Sequence, residues 1–494
     1  MQSLMISIIG IPFLGAVLAI IVRDRVAKYV AATASLLTAL VAILLAQMPG
    51  DVYLFGSMPW LGVPAVIGFF GCQLDALAVV MLLASTIIGT GIVFFSIGYM
   101  SASNRDHPVK SGFARYYFWL MLFIGSMVGI SISPTLLQLF IFWEITTLCS
   151  WALISFYDDE GSLKAGFKAL IMTSIGSLFF FGGVIWVLAE VGHLRFSALG
   201  EMPPSTRAVA FTVFLIAAWA KSAQIPFHTW LPDAMAAPTP ISAFLHAAAM
   251  VKAGVFLIAR LLLGGWSTSV GVGLLVSIGA LVTMYAALYL YFFQDDLKRL
   301  LAYSTIAQLG YIFLGIGLGA LGSSMALRGA VLHVLMHAVA KTTLFLSVGT
   351  VAYVTGTRSI SKLSGIVRTV PLAAWGFFIG AFALTGIPPL ACFWSKIYVL
   401  IGAIRIPGAF GPTVVILLLV ESLITFAWFL WVGQKVFLGK LSKISLYGDS
   451  VPVSDEILPQ PAALPRAMEL VLLLLMIACF LVPIAGIPLV HKLL

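Results

Sequence analysis

The chain has 494 residues, of which 61% are hydrophobic and only 9% are charged, against about 25% charged in ordinary soluble domains. This composition excludes a soluble enzyme, a disordered scaffold and a nucleic-acid-binding protein. The net charge of +9 does not restore the last class, because the basic residues form no dense stripe and stand in short breaks between apolar runs. The runs lack the alternation of a β-barrel, so the sequence predicts an all-α polytopic membrane protein.

A membrane span needs about 20 mostly apolar residues, and fourteen segments satisfy this. The first segment has no preceding positive charge and no small-residue cleavage site, so we expect a retained helix and not a signal peptide. Of the two longest breaks, 48–73 and 438–465, the second is rich in Pro, Ser, Asp and Lys and is predicted to be a surface loop. The predicted spans are 3–22, 27–47, 74–98, 114–133, 134–156, 163–190, 206–225, 239–264, 270–293, 298–320, 324–352, 371–404, 411–437 and 466–490.

Lysine and arginine in the breaks predict the orientation of the spans. With the N-terminus outside, the inner breaks carry 17 of these residues and the outer breaks carry 6, as the positive-inside rule requires.

The four cysteines suggest no metal site. Cys72, Cys149, Cys392 and Cys479 are far apart and form no CxxC pair. We therefore expect no iron–sulfur or zinc site and no disulfide framework. No other redox or hydrolytic motif is present in the sequence.

Several charged residues fall where a membrane span should be apolar. A lysine at mid-bilayer costs roughly 2.5–3.5 kcal/mol on insertion scales, and Lys341 cannot easily snorkel because apolar residues surround it on both sides. Such groups indicate either structural ion pairs between helices or a buried relay of titratable groups, and the relay is favoured except at Glu421, where both interpretations stay open. The residues concerned are Lys221, Lys252, Lys341, Lys396, Glu144 and Glu421.

Histidines extend the pattern of buried titratable groups. His333, His337 and Lys341 are spaced by four and share one helix face, whereas His246 and Lys252 share another span but are six residues apart. A His-x3-His pair can bind zinc, but no HExxH and no third ligand accompany it. A histidine titrates near neutral pH and is suited to pass protons. The alternative of a core histidine satisfied by one hydrogen bond stays open for each.

Two of the predicted spans are interrupted by proline. Pro226 follows Lys221, and Pro388 and Pro389 precede Lys396; proline removes an intrahelical hydrogen bond. Helix breaks at membrane depth are tolerated where they line a cavity or a wet path. The broken spans are the seventh and the twelfth, five apart, and a repeat of five helices reverses direction with each copy. The spacing therefore predicts the inverted repeats and paired broken helices of ion-coupled transporters.

These residues, in this order, resemble the antiporter-like subunits of respiratory complex I, of Mrp-type Na+/H+ antiporters and of energy-converting membrane-bound hydrogenases. The resemblance runs from about residue 70 to residue 440, and the stretch 221–254 is its most specific part. The matching segments are LDALAVVM at 74–81, Phe142-Trp143-Glu144, residues 221–254, AYSTIAQLGYI at 302–312, HVLMHAVAKTTLFL at 333–346 and GIPPLACFWSK at 386–396.

The resemblance implies a proton-translocating subunit with fourteen helices, in which helices 4–8 and 9–13 form inverted five-helix bundles and helices 7 and 12 are broken. We therefore divide the chain into N-terminal helices at 1–113, a first repeat at 114–265, a second repeat at 266–437 and a final loop and helix at 438–494. The longest complex I members carry an amphipathic lateral helix after this core. Because the sequence ends at Leu494, directly after the fourteenth span, it resembles the shorter members.

The resemblance also assigns expected roles to the buried groups. Glu144 matches a helix-5 glutamate that pairs with the helix-7 lysine, here Lys221. His246 matches a relay position on helix 8. Lys341, with its two neighbouring histidines, matches the central position on helix 11. Lys396 matches the ionisable residue of broken helix 12, where other members carry glutamate. The expected proton-transfer set is Glu144, Lys221, His246, Lys252, His333, His337, Lys341 and Lys396.

The implied setting is a complex I-like, Mrp or membrane-bound hydrogenase complex, in a prokaryotic cell membrane. Partner membrane subunits are expected, and any iron–sulfur, [NiFe] or flavin centre would belong to partner subunits and not to this chain. Sodium as the transported ion stays open; a sodium site needs several oxygen ligands, and the acidic candidates are Glu144, Glu421, Asp75 and Asp233, of which the last two are equally consistent with helix caps. A stand-alone Na+/H+ antiporter and an assembly subunit without transport are the alternative functions.

Overall fold

A computed structural model of the chain describes residues 2–47, 50–54, 71–264, 269–440 and 463–493, which are predominantly helical. The larger parts of the predicted breaks 48–73 and 438–465 lie outside these residues. Three short 3-10 helices accompany the α-helices, at Phe227–Thr229, Ala234–Ala236 and Ile366–Arg368. The α-helices are α1 (Gln2–Ile21), α2 (Ala27–Ala46), α3 (Ala76–Tyr99), α4 (Phe113–Ile132), α5 (Leu136–Ile154), α6 (Glu160–Val191), α7 (Ala198–Glu201), α8 (Pro204–Lys221), α9 (Trp230–Asp233), α10 (Thr239–Ala247), α11 (Met250–Leu262), α12 (Val270–Tyr291), α13 (Leu297–Ala320), α14 (Ser324–Thr355), α15 (Pro371–Thr385), α16 (Ala391–Ile404), α17 (Phe410–Phe437) and α18 (Arg466–Leu493).

Twelve helices among the described residues are long and apolar enough to cross a membrane, counting α10 and α11 as one. Of the other two predicted spans, the seventh ends as α8 at Lys221 and the chain continues past the proline in the short helix α9, while the twelfth is divided into α15 and α16. The prediction of an all-α polytopic membrane protein with two broken spans is therefore confirmed. The total of fourteen spans is not, because neither broken span contains a single helix that meets the length and hydropathy requirement.

Both breaks occur at the prolines, and at each break a tryptophan side chain donates a hydrogen bond to a backbone carbonyl. The peptide bonds Ile225-Pro226 and Pro388-Pro389 are cis. At the first break, Trp230 Nε1 donates a hydrogen bond to the carbonyl of Ala220 at 3.1 Å. At the second, Trp394 Nε1 donates to the carbonyl of Pro389 at 3.1 Å. Carbonyl groups near a helix break lack their intrahelical partners, and these indole groups satisfy two of them.

The eighth predicted span contains a break that the sequence does not signal. The backbone N–H groups of Ala248 and Ala249 both donate to the carbonyl of Phe244, at 3.1 and 3.0 Å, and the helix restarts at Met250. Neither proline nor glycine occurs at this point, so the run reads as continuous. The break places His246 and Lys252, which were predicted on one helix, on α10 and α11.

A small antiparallel sheet, absent from the prediction, precedes α3. Strand β1 (Gly50–Leu54) pairs with β2 (Gly71–Leu74), with Tyr53 opposite Cys72. Gln138 of α5 anchors β2, because its Oε1 accepts from the N–H of Gly71 at 2.8 Å and its Nε2 donates to the carbonyl of Gly71 at 3.0 Å. The strands are too short to stand out in the hydrophobic pattern of the sequence.

Four helices form the buried centre of the molecule. Helices α10, α11, α13 and α14 are enclosed on nearly all sides, whereas α1, α6, α17 and α18 turn much of their apolar surface outward. Exposed side chains on the outer helices include Leu178, Ile416 and Leu423. An apolar outer surface of this kind suits contact with lipid, and a helix that is apolar all round suits the interior.

Two basic residues near the ends of predicted spans are buried inside helices. Arg260 lies on α11, is 2% exposed and pairs with Asp75. Lys298 lies in the first turn of α13, is fully buried, and donates to the carbonyls of Met235 at 2.8 Å and Ala237 at 2.6 Å. The sequence does not signal either burial, because a basic residue near the end of an apolar run looks the same whether it lies inside the bundle or at its surface.

The two interfacial aspartates differ from each other. Asp75 caps α3 by accepting from the N–H of Ala78 at 3.0 Å, so the cap interpretation is confirmed there. Asp233 makes ion pairs with Lys168 at 2.6 Å and Arg299 at 3.3 Å. It therefore links α9 to α6 and α13 and does not act as a side-chain cap.

An ion cluster joins three loops at one end of the bundle. Arg358 lies 3.4 Å from Asp296 and 3.9 Å from Asp106. Burial alone would raise the pKa of Asp106, but His107, whose Nδ1 lies 3.3 Å from Asp106 Oδ2, and the charge of Arg358 outweigh it and hold that pKa below its ordinary value. The loops after α3 and α14 are thereby fixed against each other and against the start of α13.

Close approach of α6 and α8 depends on a glycine. A Cβ atom on Gly176 would lie 2.6 Å from the Cβ of Ala220 and 3.1 Å from the carbonyl oxygen of Ala217, whereas Gly182 on the same helix has nothing within 4 Å. Small residues at such contacts are the usual means of packing membrane helices.

We predict that Gly176→Ala destabilises the protein and Gly182→Ala does not. Overpacking at the α6–α8 contact should cost about 1–3 kcal/mol, while alanine favours a helix by about 1 kcal/mol over glycine at either position. Thermal unfolding of the detergent-purified protein can be followed with a thiol-reactive dye, because Cys72, Cys149, Cys392 and Cys479 are all free and buried. Equal unfolding temperatures for the two variants would contradict the tight contact.

Candidate functional site

The four lysines predicted inside spans are buried side chains on four different helices. Lys221 is the last residue of α8, Lys252 lies on α11, Lys341 on α14 and Lys396 on α16. The first three are fully buried and Lys396 is 4% exposed. Each amine has hydrogen-bond acceptors, as a buried cation requires.

Lys221 is held by α5. Its Nζ donates to the carbonyl of Trp143 at 3.0 Å and to Thr147 Oγ1 at 2.6 Å, and it lies 5.0 Å from the centre of the Trp143 ring. Glu144 is the next residue on α5, is half-buried, and acts on the Lys221 charge through space. Its Oε1 accepts no hydrogen bond from the described residues. The structure thus brings the expected partners to one helix contact without a direct ion pair.

The next groups surround the middle of α14. The His246 ring of α10 packs against Phe345 of α14, with ring centres 5.0 Å apart. Lys252 Nζ donates to the carbonyl of Val334 on the same helix at 2.5 Å. His337 lies within electrostatic range of Lys252, Lys341 and His246. The ring nitrogens of both His246 and His337 are buried without hydrogen-bond partners among the described residues.

Lys341 turns from α14 toward α13. Its Nζ donates to the carbonyl of Leu301 at 3.2 Å and to the hydroxyl of Ser304. Both acceptors belong to α13, whose interior position brings them to the level of the lysine. The prediction that Lys341 lies deep within the molecule is therefore matched by complete burial.

His333 connects the centre to the second broken span. Its Nδ1 lies 2.8 Å from Ser395 Oγ and its Nε2 lies 3.1 Å from Gln308 Oε1. The ring stacks on Tyr311 at 5.3 Å and faces His337 at 5.9 Å between ring centres. Through Ser395 this histidine contacts α16, the helix that carries Lys396.

Lys396 uses an acceptor that the helix break creates. Its Nζ donates to the carbonyl of Thr385, the last residue of α15, at 3.3 Å, and to Ser422 Oγ of α17 at 3.0 Å. The amine also lies 5.1 Å from the centre of the Tyr311 ring. The broken helix thus supplies both the lysine and a carbonyl that holds it.

The predicted groups, called the row below, lie on helices that pack against one another in and around the buried centre: α5, α8, α10, α11, α14 and α16. In the described part of the chain, hydroxyl and carbonyl groups separate them, and no hydrogen bond joins two of them directly. Sequence reasoning missed those intermediate groups, since serine and threonine are common in membrane spans. The spacing could have indicated Tyr311, because it lies three residues after Gln308 and therefore on the same helix face. The missed groups are Thr147, Ser304, Gln308, Tyr311, Ser395 and Ser422.

Nothing in the described ranges forms a group of three or more His, Cys, Asp and Glu side chains that could hold a metal ion. The site therefore consists of titratable side chains and their hydrogen-bond partners. A row of buried lysines and histidines between two broken helices defines the chain as a membrane protein built around internal proton-binding groups.

Comparison with known families agrees with this class. Residues 133–425 match the family described as NADH:quinone oxidoreductase/Mrp antiporter, TM, and residues 60–117 match the N-terminal family of complex I chain 5, NADH-ubiquinone oxidoreductase. The chain belongs to the NADH:quinone oxidoreductase/Mrp antiporter family of membrane proteins. The resemblance predicted from the sequence is thereby confirmed, and residues 142–144 through 386–396 of that resemblance lie inside the first match.

Curated relatives come from both branches of the family. The Na(+)/H(+) antiporter subunit A1 of Staphylococcus haemolyticus is 36% identical over 399 residues, covering 75% of this chain and 48% of the relative. The chloroplastic NAD(P)H-quinone oxidoreductase subunit 5 of Chaetosphaeridium globosum is 36% identical over 358 residues, covering 68% of this chain and 51% of the relative. The chain spans about half the length of these relatives.

Solved structures show the same fold in multi-subunit membrane complexes. A chain of the Mrp complex from a Dietzia species superposes with a TM-score of 0.82 at 30% identity, covering 99% of this chain and 51% of that one. A chain of the membrane-bound sulfane sulfur reductase, an archaeal respiratory membrane complex, superposes with a TM-score of 0.84 at 23% identity, covering 100% and 97%. The second likeness concerns the fold alone.

Proposed function

We propose that the chain is a proton-translocating subunit of a multi-subunit membrane complex. One observation carries this proposal: buried lysines and histidines, from Lys221 to Lys396, lie on helices that pack against one another in the interior. Each lysine is held by hydroxyl or carbonyl groups. Such neutral acceptors allow an amine to release its proton, which a tight ion pair would hinder.

Loading of the row depends on Glu144 and Lys221. Burial disfavours the ammonium form of a lysine, and a neighbouring carboxylate favours it. Movement of Glu144 toward Lys221 therefore holds a proton there, and movement away releases it toward the centre. A tenfold change in proton occupancy requires about 1.4 kcal/mol, so a small displacement suffices. The present structure, with no direct ion pair between the two, corresponds to the releasing arrangement.

Transfer across the centre uses the imidazoles between the lysines. His246 and His337 offer ring nitrogens that no described side chain occupies, and an imidazole accepts a proton on one nitrogen while it releases one from the other. Lys252 and Lys341 both act on His337. Because like charges in a poorly hydrated interior repel strongly, the arrangement favours passage of one proton at a time.

The two ends of the row exchange protons with opposite sides of the membrane in this account. Lys396 lies beside the second break and Lys221 beside the first, and the predicted repeats at 114–265 and 266–437 would place the breaks in inverted orientation. An outside N-terminus and a prokaryotic cell membrane remain part of the proposal.

The family membership supports other membrane subunits as partners. Both similar folds belong to multi-subunit membrane complexes. A driving reaction and any iron–sulfur, [NiFe] or flavin centre are assigned to partner subunits. Na+/H+ exchange is the second candidate function, favoured by the likeness to a Na(+)/H(+) antiporter subunit.

Lys341→Met tests the central relay. Methionine has similar length but binds no proton, so proton translocation should fall by about 100-fold or more while the complex still assembles. The measurement is dye-reported acidification in vesicles that contain the native complex, with the exposed Lys164 changed to Met as the control. Translocation at the unmodified rate in Lys341→Met would show that the relay is wrong.

Thr147→Val tests whether the Thr147 hydroxyl holds the Lys221 amine in place. The variant removes an acceptor for the lysine amine, and a hydrogen bond to a charged group is worth about 1.5–3 kcal/mol, so translocation should slow by roughly tenfold. Thr38→Val is the matched control, because the Thr38 hydroxyl is also buried but donates to the carbonyl of Ala34 on its own helix α2, at 2.8 Å. If both variants translocate at the same rate, Thr147 has no part in holding Lys221.

A further inference from the structure

Glu421 is a buried carboxylate that the proposed row does not use. It lies near the middle of α17, a helix that otherwise turns much of its apolar surface outward, yet its side chain is fully buried. Burying a carboxylate is costly unless hydrogen bonds and a nearby cation or proton compensate. The surroundings of Glu421 therefore indicate what it does.

Those surroundings lead directly to the last lysine of the row. Lys396 Nζ donates to Ser422 Oγ at 3.0 Å, and Ser422 Oγ donates to Glu421 Oε2 at 3.3 Å. The second carboxylate oxygen, Oε1, accepts from Thr425 Oγ1 at 2.9 Å. A hydroxyl group can accept one hydrogen bond while donating another, so Ser422 forms a continuous bridge from the amine to the carboxylate.

The same cluster connects back to the histidines. The Tyr311 ring contacts both Lys396 and His333, and the charge of Glu421 reaches the hydroxyl groups of Tyr291 and Tyr311. Glu421 thus lies at the end of a polar path that begins at His333. A carboxylate also stands beside the lysine of the first break, where Glu144 neighbours Lys221, so each broken helix has a lysine and an acid close together.

We propose that Glu421 is the terminal proton acceptor of the row and receives its proton from Lys396 through Ser422. In this step the Lys396 ammonium gives a proton to Ser422 Oγ while the Ser422 hydroxyl passes its own proton to the Glu421 carboxylate. The products are a neutral amine, an intact hydroxyl and a carboxylic acid, so the cluster keeps its net charge. Lys396 is then free to accept the next proton from the centre. This inference rests on the proposed function.

Glu421→Gln separates proton acceptance from a structural role. Glutamine keeps the size and the hydrogen-bonding capacity of the side chain but does not ionise. In vesicles that contain the native complex, proton translocation should fall by about tenfold or more, and Glu421→Asp should restore most of it. Glu469→Gln, in the first turn of α18, is the matched control. Unmodified translocation by an assembled Glu421→Gln complex would overturn the proposal.

Ser422→Ala keeps the test decisive if Glu421→Gln fails to assemble. It removes the bridge but leaves both charged groups, and translocation should again fall by about tenfold; an unmodified rate overturns the inference. Lys341→Met measured in parallel separates the two levels of the account. Loss of translocation in Lys341→Met with normal rates in Glu421→Gln and Ser422→Ala would refute this inference alone, whereas normal translocation in Lys341→Met would refute the proposed function.

Discussion

The structure depends on one constraint: a lysine amine inside a membrane protein must find acceptors that water would otherwise supply. Part of this supply comes from the second lone pairs of carbonyl groups inside continuous helices, as where Lys341 donates to the carbonyl of Leu301. The proline break after α15 supplies a further acceptor, since the carbonyl of Thr385 accepts from Lys396. At the first break, Lys221 is itself the end of a helix and reaches across to α5. The two breaks therefore place lysines at helix ends, while the central lysine is held by an unbroken helix.

The packing of the bundle follows from this constraint. The helices that carry or hold the central groups are the most enclosed, and the outer helices present apolar surface to the membrane. Neutral hydroxyl and carbonyl acceptors stabilise an ammonium group less than a carboxylate would. In the proposed function, the same acceptors that make the lysines tolerable in the interior also leave their protons easier to transfer than a tight ion pair would.

Sequence alone predicts the membrane class from the long apolar runs. It also predicts the displaced charges and the proline breaks, because each is a local departure from such a run. It does not predict the break between His246 and Lys252, where three alanines look like ordinary helix. Nor does it predict the burial of Lys298, which depends on the carbonyls of Met235 and Ala237 from a distant segment. The link from Lys396 to Glu421 is likewise invisible, since it joins residues of two helices through a serine.

The expected Glu144–Lys221 pair shows the limit of a family resemblance. The resemblance brings both residues to the correct helices, and the structure confirms that α5 and α8 meet at Lys221. The groups that contact the amine are the backbone carbonyl of Trp143 and the hydroxyl of Thr147, both on α5. Motif matching identifies which residue types are present, while the hydrogen-bond partners require the packed helices.

The most direct measurement of the central claim is isotope-edited infrared difference spectroscopy on the native complex, with this chain carrying ¹⁵N-labelled lysine. Spectra are taken at rest and during turnover. If buried lysines exchange protons, turnover should change the intensity of an ammonium band that shifts with the ¹⁵N label. Proton translocation that proceeds with no change in any lysine band would contradict the account.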